Sequence, residues 1–175
     1  MLRYIIPRNP KILFVGINPH FGSYRRGVPF SNNKTFWYLL NRSWLIKEDM
    51  ETLRNDVTLR KFYTSKFGKA YGYGFINIIY RPTVNTAALR KGEEKAGIRR
   101  VTNAIRRKRP RIVCFIGKIT YEKFSGSKRF ALGLQRRRIC GSRVFVASFP
   151  IRGPAATRIR EFKTLGRIAR IANEA

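Results

Sequence analysis

Four short apolar runs, each closed by a loop marked with glycine or proline, limit most sharply what this chain can fold into. They are Lys11–Ile17 (KILFVGI), Gly74–Ile79 (GFINII), Arg111–Ile116 and Arg143–Ala147. Each is nearly continuous in its apolar character. A strand with one wet face would alternate, so these runs fit parallel strands covered on both sides. Helical patterns lie between them. Thr35–Asn41 follows Ser31-Asn32-Asn33, a stretch suited to capping, and Glu48–Lys66 carries Met50, Leu53, Val57 and Phe62 at roughly helical spacing. Ile98, Val101 and Ile105 repeat on one helix face before Pro110, and Ile159, Phe162, Leu165 and Ile168 form the apolar stripe of a closing amphipathic helix. Strands alternating with helices predict an α/β fold with right-handed crossovers. The expected architecture is a single-domain three-layer sandwich over residues 1–175: a mostly parallel sheet of four to five strands with helices on both faces. No internal repeat, linker or low-complexity tract interrupts it.

Charge narrows the function. Lys and Arg number 38 against 9 Asp and Glu, a net charge of +29. So few carboxylates cannot neutralise so many cations, and the remaining field calls for a polyanion, with nucleic acid the first candidate. A thermophile's charge load would bring matching Glu, which is missing. No apolar run approaches the ~20 residues that span a bilayer, and Met1–Pro10 lacks the apolar stretch of a signal peptide. These features lead us to expect an intracellular, DNA-associated protein, monomeric and without a membrane partner. The two cysteines, Cys114 and Cys140, and the single His20 cannot make a four-ligand zinc site or an iron–sulfur cluster with ordinary ligands. No metal and no cofactor is expected, and Cys114 reads as a small core residue. Neither a G-x-x-x-x-G-K-[ST] nor a G-x-G-x-x-G phosphate cradle occurs.

In open α/β sheets, ligands bind beyond the carboxyl ends of the strands. The loops there read Gly16-Ile17-Asn18-Pro19, Arg81-Pro82-Thr83, Gly117-Lys118 and Phe149-Pro150-Ile151-Arg152-Gly153-Pro154. Three of them carry a basic residue, and the first runs on to Arg25-Arg26, so this face is expected to meet DNA. Read alone, Asn18 could simply close a turn before Pro19. Gly117-Lys118 opens a helix, where free amides and a lysine suit a phosphate.

The ordered set Gly16-Ile17-Asn18-Pro19, Val28-Pro29-Phe30, Phe36-Trp37, Gly74-Phe75-Ile76-Asn77, Arg81-Pro82-Thr83, Gly117-Lys118 and Tyr121-Glu122 resembles the mismatch-specific uracil/thymine-DNA glycosylases of the uracil-DNA glycosylase superfamily. The likeness runs from about Lys11 to Arg158. It implies an enzyme that flips uracil, or thymine opposite guanine, out of DNA and hydrolyses its N-glycosidic bond. It assigns Asn18 to the hydrolytic water and Phe30 to stacking on the flipped base. It places Gly16, Ile17 and Ser23 at the base pocket, with Asn77 either donating to the base or holding the adjacent loop. Arg25, Arg26, Arg81, Gly117 and Lys118 fall to DNA contacts. In the late loop, Ile151, Arg152, Gly153 and Pro154 occupy the place of the wedge that fills the vacated stack, and Arg152 is the favoured wedge because it can also hydrogen-bond the unpaired guanine. No lysine is placed for a Schiff base, so a monofunctional enzyme is implied.

Three departures stand out. His20 replaces the family's usual glycine and is a candidate catalytic imidazole, water-directed base or phosphate contact. The late loop differs in sequence from its relatives. Tyr80 stands where relatives often carry a carboxylate, and nothing in the sequence explains it. Two other readings remain open: a broader glycosylase for hypoxanthine, xanthine or single-strand uracil, and a non-catalytic basic DNA-binding protein on the same scaffold.

Overall fold

The computed structural model describes residues 1–171. Four parallel strands form its centre: β1 (Ile12–Gly16), β2 (Tyr73–Asn77), β3 (Ile112–Ile116) and β5 (Arg143–Ala147). A two-residue strand, β4 (Gly133–Leu134), runs antiparallel on the outside of β5, so the five-stranded order is β2-β1-β3-β5-β4. β1 sits second in the sheet although first in sequence, and the chain reverses its direction of winding there. That switch leaves a crevice beyond the strand ends, which is where such sheets take ligands.

The continuous apolar strands now have their reason. Along β1, Ile12 and Phe14 face one core while Leu13 and Val15 face the other, and all four are fully buried. The first core lies under α2 (Thr35–Arg42), α3 (Met50–Arg54), α4 (Asp56–Phe62) and α7 (Ala155–Ile171) and is built on aromatics, with Phe14 edge-on to Phe36 at 5.3 Å and Trp37 edge-on to Phe67 at 5.4 Å. The second lies under α5 (Glu94–Lys108) and α6 (Lys118–Ser125) and is mostly aliphatic, with Val101 and Ile105 against Val113 and Val144. Cys114 is a core residue, as the sequence predicts, and Phe36 and Trp37 are fully buried with it. Burial pushes the Cys114 thiol well above its ordinary value, which keeps it unreactive.

Three local expectations are corrected. Glu48–Lys66 is not one helix. Asn55 leaves the helical region and accepts hydrogen bonds from the amides of Val57 and Thr58, so α3 ends and α4 starts at its side chain. Beyond α4 the chain continues through one wide π-helical turn, Tyr63–Phe67. Val57, counted in the apolar stripe, is 76% exposed, because the break at Asn55 rotates it outward. The loop after β1 holds a short helix, α1 (Phe21–Arg26), which the glycines and prolines around it concealed.

Candidate active site

The carboxyl ends of the parallel strands open into a cavity of about 820 Å³. Ile17, Asn18, His20, Ser23, Phe30, Asn77, Gly117, Lys118, Ile151, Arg152 and Gly153 all line it. Gly16 lies beneath its floor as the last residue of β1, paired in register with Asn77 of β2. Its lack of a side chain is needed: a Cβ there would collide with the Asn77 carboxamide oxygen. Arg25, Arg26, Arg81 and Pro154 stand outside the lining.

The loops after β1 and β2 stay paired past the sheet. Ile78 and Ile79 donate their amides to Gly16 and Ile17, and the Thr83 amide donates to Pro19. This extension sets Asn18 against Thr83, and the hydrogen bonds there fix the direction of the Asn18 amide. The Thr83 hydroxyl donates its one proton to the Asn85 carbonyl at 2.7 Å, since a carbonyl can only accept. Thr83 Oγ1 must therefore accept from Asn18, whose Nδ2 stands 2.6 Å away and also reaches the Pro19 carbonyl at 3.2 Å. Asn18 Oδ1 takes no hydrogen bond from the described residues. An acceptor oxygen on a pocket-lining residue is thus left to a water or a ligand, with its orientation dictated by a neighbouring hydroxyl.

His20 caps α1. Its Nδ1 accepts the Gly22 amide at 3.0 Å, so the neutral ring carries its proton on Nε2. In this arrangement neither nitrogen has a lone pair to spare. The ring is a hydrogen-bond donor, and a role as proton acceptor from water would first require breaking the cap.

Phe30 adopts a left-handed backbone conformation, φ 54°, which costs a bulky residue roughly 1–2 kcal/mol. The strain is held from both sides. Trp37 Nε1 donates to the Pro29 carbonyl at 2.8 Å, and Ser31 Oγ donates to Val28. The half-buried ring is stacked on Phe36 at 4.6 Å and edge-on to Phe75 at 5.5 Å, and it still borders the cavity. Such strain beside a pocket is typical of a positioned functional residue. Ser23 is buried, and its hydroxyl oxygen accepts the Asn32 amide at 3.0 Å, which ties α1 to the loop that carries Phe30.

Asn77 is 2% exposed at the back of the cavity. Its Nδ2 donates to the Tyr4 hydroxyl at 3.2 Å. Tyr4 stacks on Tyr80 at 4.4 Å, and the Arg100 guanidinium lies 3.6 Å over the far Tyr80 ring. Tyr80, unexplained by sequence, is thus the middle layer of a tower that braces Tyr4 behind Asn77. Burial pushes the Tyr4 phenol well above its ordinary value, so it remains protonated.

The rim is basic and pinned in several places. Arg81 makes two hydrogen bonds to the Glu93 carboxylate, at 2.6 and 2.8 Å, and a third to Ala88. Arg81, joined by the Arg90 amide, pulls the Glu93 carboxyl down to about 2. Its fork is occupied by that brace, whereas Arg25 is exposed and Arg26 pairs with Asp56 at 2.9 Å. Gly117 precedes α6 with φ 93°, a region that glycine favours, and its own amide donates to Ala147. The Lys118 and Ile119 amides are left at the helix start. The late loop is anchored by Glu161 of α7, which accepts from both the amide and the hydroxyl of Ser148 at 2.8 Å, while Arg158 holds the Pro150 carbonyl. Beyond those anchors, Ile151 is 52% exposed and Arg152 is exposed.

Thr83, Tyr4 and Glu161 are the residues that sequence reasoning missed as contributors. Thr83 carries a signal only as part of Arg81-Pro82-Thr83. Tyr4 and Glu161 reach the site from the chain's two ends and leave no local pattern. Among the described residues no group of three or more His, Cys, Asp or Glu could hold a metal ion, and no helix is long and apolar enough to cross a membrane.

Fold and pocket together define an α/β protein with a cavity at the carboxyl edge of a parallel sheet, the place where such folds take ligands. Residues 3–163 match the family model of the uracil DNA glycosylase superfamily, and the chain belongs to that superfamily. It is 32% identical over 151 residues to a G/U mismatch-specific uracil DNA glycosylase of Schizosaccharomyces pombe. The match takes in 81% of this chain and 44% of that protein, so the chain spans less than half the relative's length.

Proposed function

We propose that this chain is a monofunctional DNA glycosylase that flips uracil from DNA into the cavity and hydrolyses its N-glycosidic bond. The observation that carries the reading is the Thr83–Asn18 relay, which leaves the Asn18 Oδ1 acceptor oriented and open to the pocket. The flipped ring lies against Phe30, where stacking contributes ~1–3 kcal/mol. The Asn77 carboxamide meets the polar edge of the base, backed by Tyr4. Asn18 Oδ1 accepts from the attacking water and aims its oxygen at C1′. An amide is no strong base, so bond breaking leads. The C1′–N1 electron pair leaves with the base, the water oxygen then joins C1′, and the proton it loses passes to solvent, from which the base anion is protonated to the free base. Anion stabilisation at the departing base therefore carries much of the rate. His20 Nε2–H and the pocket amides supply donors, the Lys118 and Ile119 amides take a phosphate beside the lysine, and Arg152 or Ile151 enters the emptied stack.

The guanine-mismatch preference rests on the specificity named for the fission-yeast relative. It is tested by single-turnover excision from duplexes carrying G·U, A·U and G·T, with single-stranded uracil alongside. Abasic product from G·U above the others supports the reading. Tight binding with no abasic product from any of them overturns it in favour of a non-catalytic DNA-binding protein.

A further inference from the structure

The strands are parallel, so all their amino ends emerge at the edge of the sheet opposite the pocket, about 16 Å away at ~3.3 Å per residue. Three basic segments meet there. Arg8 and Lys11 lead into β1; Arg106, Arg107, Lys108, Arg109 and Arg111 join α5 to β3; and Arg136, Arg137, Arg138 and Arg143 flank the turn into β5. Main-chain bonds knit the segments together: Asn9 N to Lys108 O at 2.8 Å, Arg111 N to Pro10 O at 2.9 Å, and Arg143 N to Arg111 O at 3.0 Å. Ser142 Oγ closes the group by donating to the Pro110 carbonyl. Between the second and third segments runs a cleft of about 540 Å³ lined by Arg106, Arg109, Pro110, Cys140, Gly141 and Ser142.

The three segments bring no carboxylate of their own to this face. Residues 8–11, 106–111 and 136–143 contain no Asp or Glu. The chain's described carboxylates lie elsewhere, many of them already engaged, as Asp56 is by Arg26 and Lys34, and Glu93 by Arg81. The α5 helix ends here in Arg106-Arg107-Lys108, and Arg106, Arg107, Arg109, Arg136, Arg137 and Arg138 are all exposed. A pocket-bound duplex at the carboxyl edge cannot also cover the amino edge, so it does not meet these exposed arginines.

We propose that this amino-edge face is a second DNA-binding surface, which holds another segment of duplex while the pocket face holds the first. The chemistry of the patch selects that occupant. Its cations are mostly guanidinium groups, which fork onto phosphate oxygens. The three segments contain no aromatic residue, so they lack the stacking platforms that single strands require. None of the large exposed apolar side chains falls within them, so nothing there anchors a lipid surface. Contact is to the backbone alone and therefore indifferent to sequence. A protein with two such faces can pass from one duplex to another without release, and this is independent of which base the pocket takes.

The test uses two 20-base-pair duplexes without a lesion, one labelled with a donor and one with an acceptor dye, together with the full chain. Energy transfer between the dyes reports bridging, and sedimentation gives the stoichiometry. The wild type is expected to form complexes of one protein with two duplexes. The variant with Arg106, Arg107, Arg136 and Arg137 all changed to Gln should lose bridging at least tenfold, with an unchanged melting curve and one duplex still bound. The salt dependence of the second binding step should flatten by roughly 0.9 in log–log slope for each phosphate that the variant no longer neutralises. Complexes limited to one duplex per wild-type protein would overturn the proposal. So would bridging that survives in the variant, complexes of two proteins with two duplexes, or preferential uptake of duplex RNA at the second site. None of these readouts depends on base excision.

Discussion

Thr83→Val isolates the element on which the water-positioning argument depends. Valine keeps the shape of the 3%-exposed threonine while removing Oγ1, which accepts from Asn18 at 2.6 Å and donates to Asn85 at 2.7 Å. In the wild type a flipped Asn18 amide would set its oxygen against an oxygen whose proton is already committed. An unsatisfied pairing of that kind costs about 1–3 kcal/mol, which holds the flipped form below roughly a sixth of the population. Without Oγ1 the only remaining bias is the longer bond to the Pro19 carbonyl, 3.2 Å. Up to about half the molecules then present Nδ2 to the water, and the loss of one positioning hydrogen bond removes about 1 kcal/mol more. Together these give roughly a tenfold fall in the single-turnover excision rate, with little change in duplex affinity, because Thr83 touches no proposed phosphate contact. Rapid-quench measurement on a G·U duplex reads the rate, and Thr83→Ser, which restores the hydroxyl, should recover most of it. A Thr83→Val rate within twofold of wild type would refute the relay.

Other perturbations separate the remaining parts. Phe30→Ala removes a stacking face worth ~1–3 kcal/mol and should weaken capture of the flipped base about 5- to 150-fold, read as a rise in KM or in the Kd of a uracil-bearing duplex. Gly16→Ala drives a methyl group into the Asn77 carboxamide and stands 3.1 Å from the Phe75 ring; it should cost about 1–3 kcal/mol in stability by overpacking and abolish excision, checked by denaturant melts beside activity. Glu93, depressed to about 2 by Arg81, contributes stability that is fully present above its unfolded value of about 4.3 and is lost as the pH falls toward 2. Acid melts of Glu93→Gln should therefore lack the part of the wild-type decline that lies in that window.

Much of the fold was legible because both faces of the sheet are covered. A strand such as Ile12–Gly16 has no solvent side, so its apolar character runs unbroken and marks it directly. The strand bounds fell within a residue or two of the sequence reading, and Arg143–Ala147 coincides with it. The helix break at Asn55 was hidden because one residue both ends α3 and caps α4 while the apolar spacing runs on through it. β4 went unread because two residues, Gly133 and Leu134, carry no periodicity. At the site, Asn18 was marked by its loop and by resemblance and Phe30 by resemblance alone, and the structure brings both to one cavity. Hydrogen-bond direction was not legible. That Asn18 points Nδ2 at Thr83, that His20 spends Nδ1 on Gly22, and that Arg81 is spent on Glu93 all depend on contacts across the fold.

The most direct measurement is single-turnover uracil excision from a G·U duplex by the wild type and by Asn18→Ala, with duplex binding followed in parallel. The wild type is expected to yield abasic sites and the variant to bind equally well while cleaving about 100- to 1000-fold more slowly, the range found when one preorganised polar group is removed from an active site. Excision by Asn18→Ala at the wild-type rate would contradict the proposed mechanism, because the oriented acceptor in the pocket would then have no part in the chemistry.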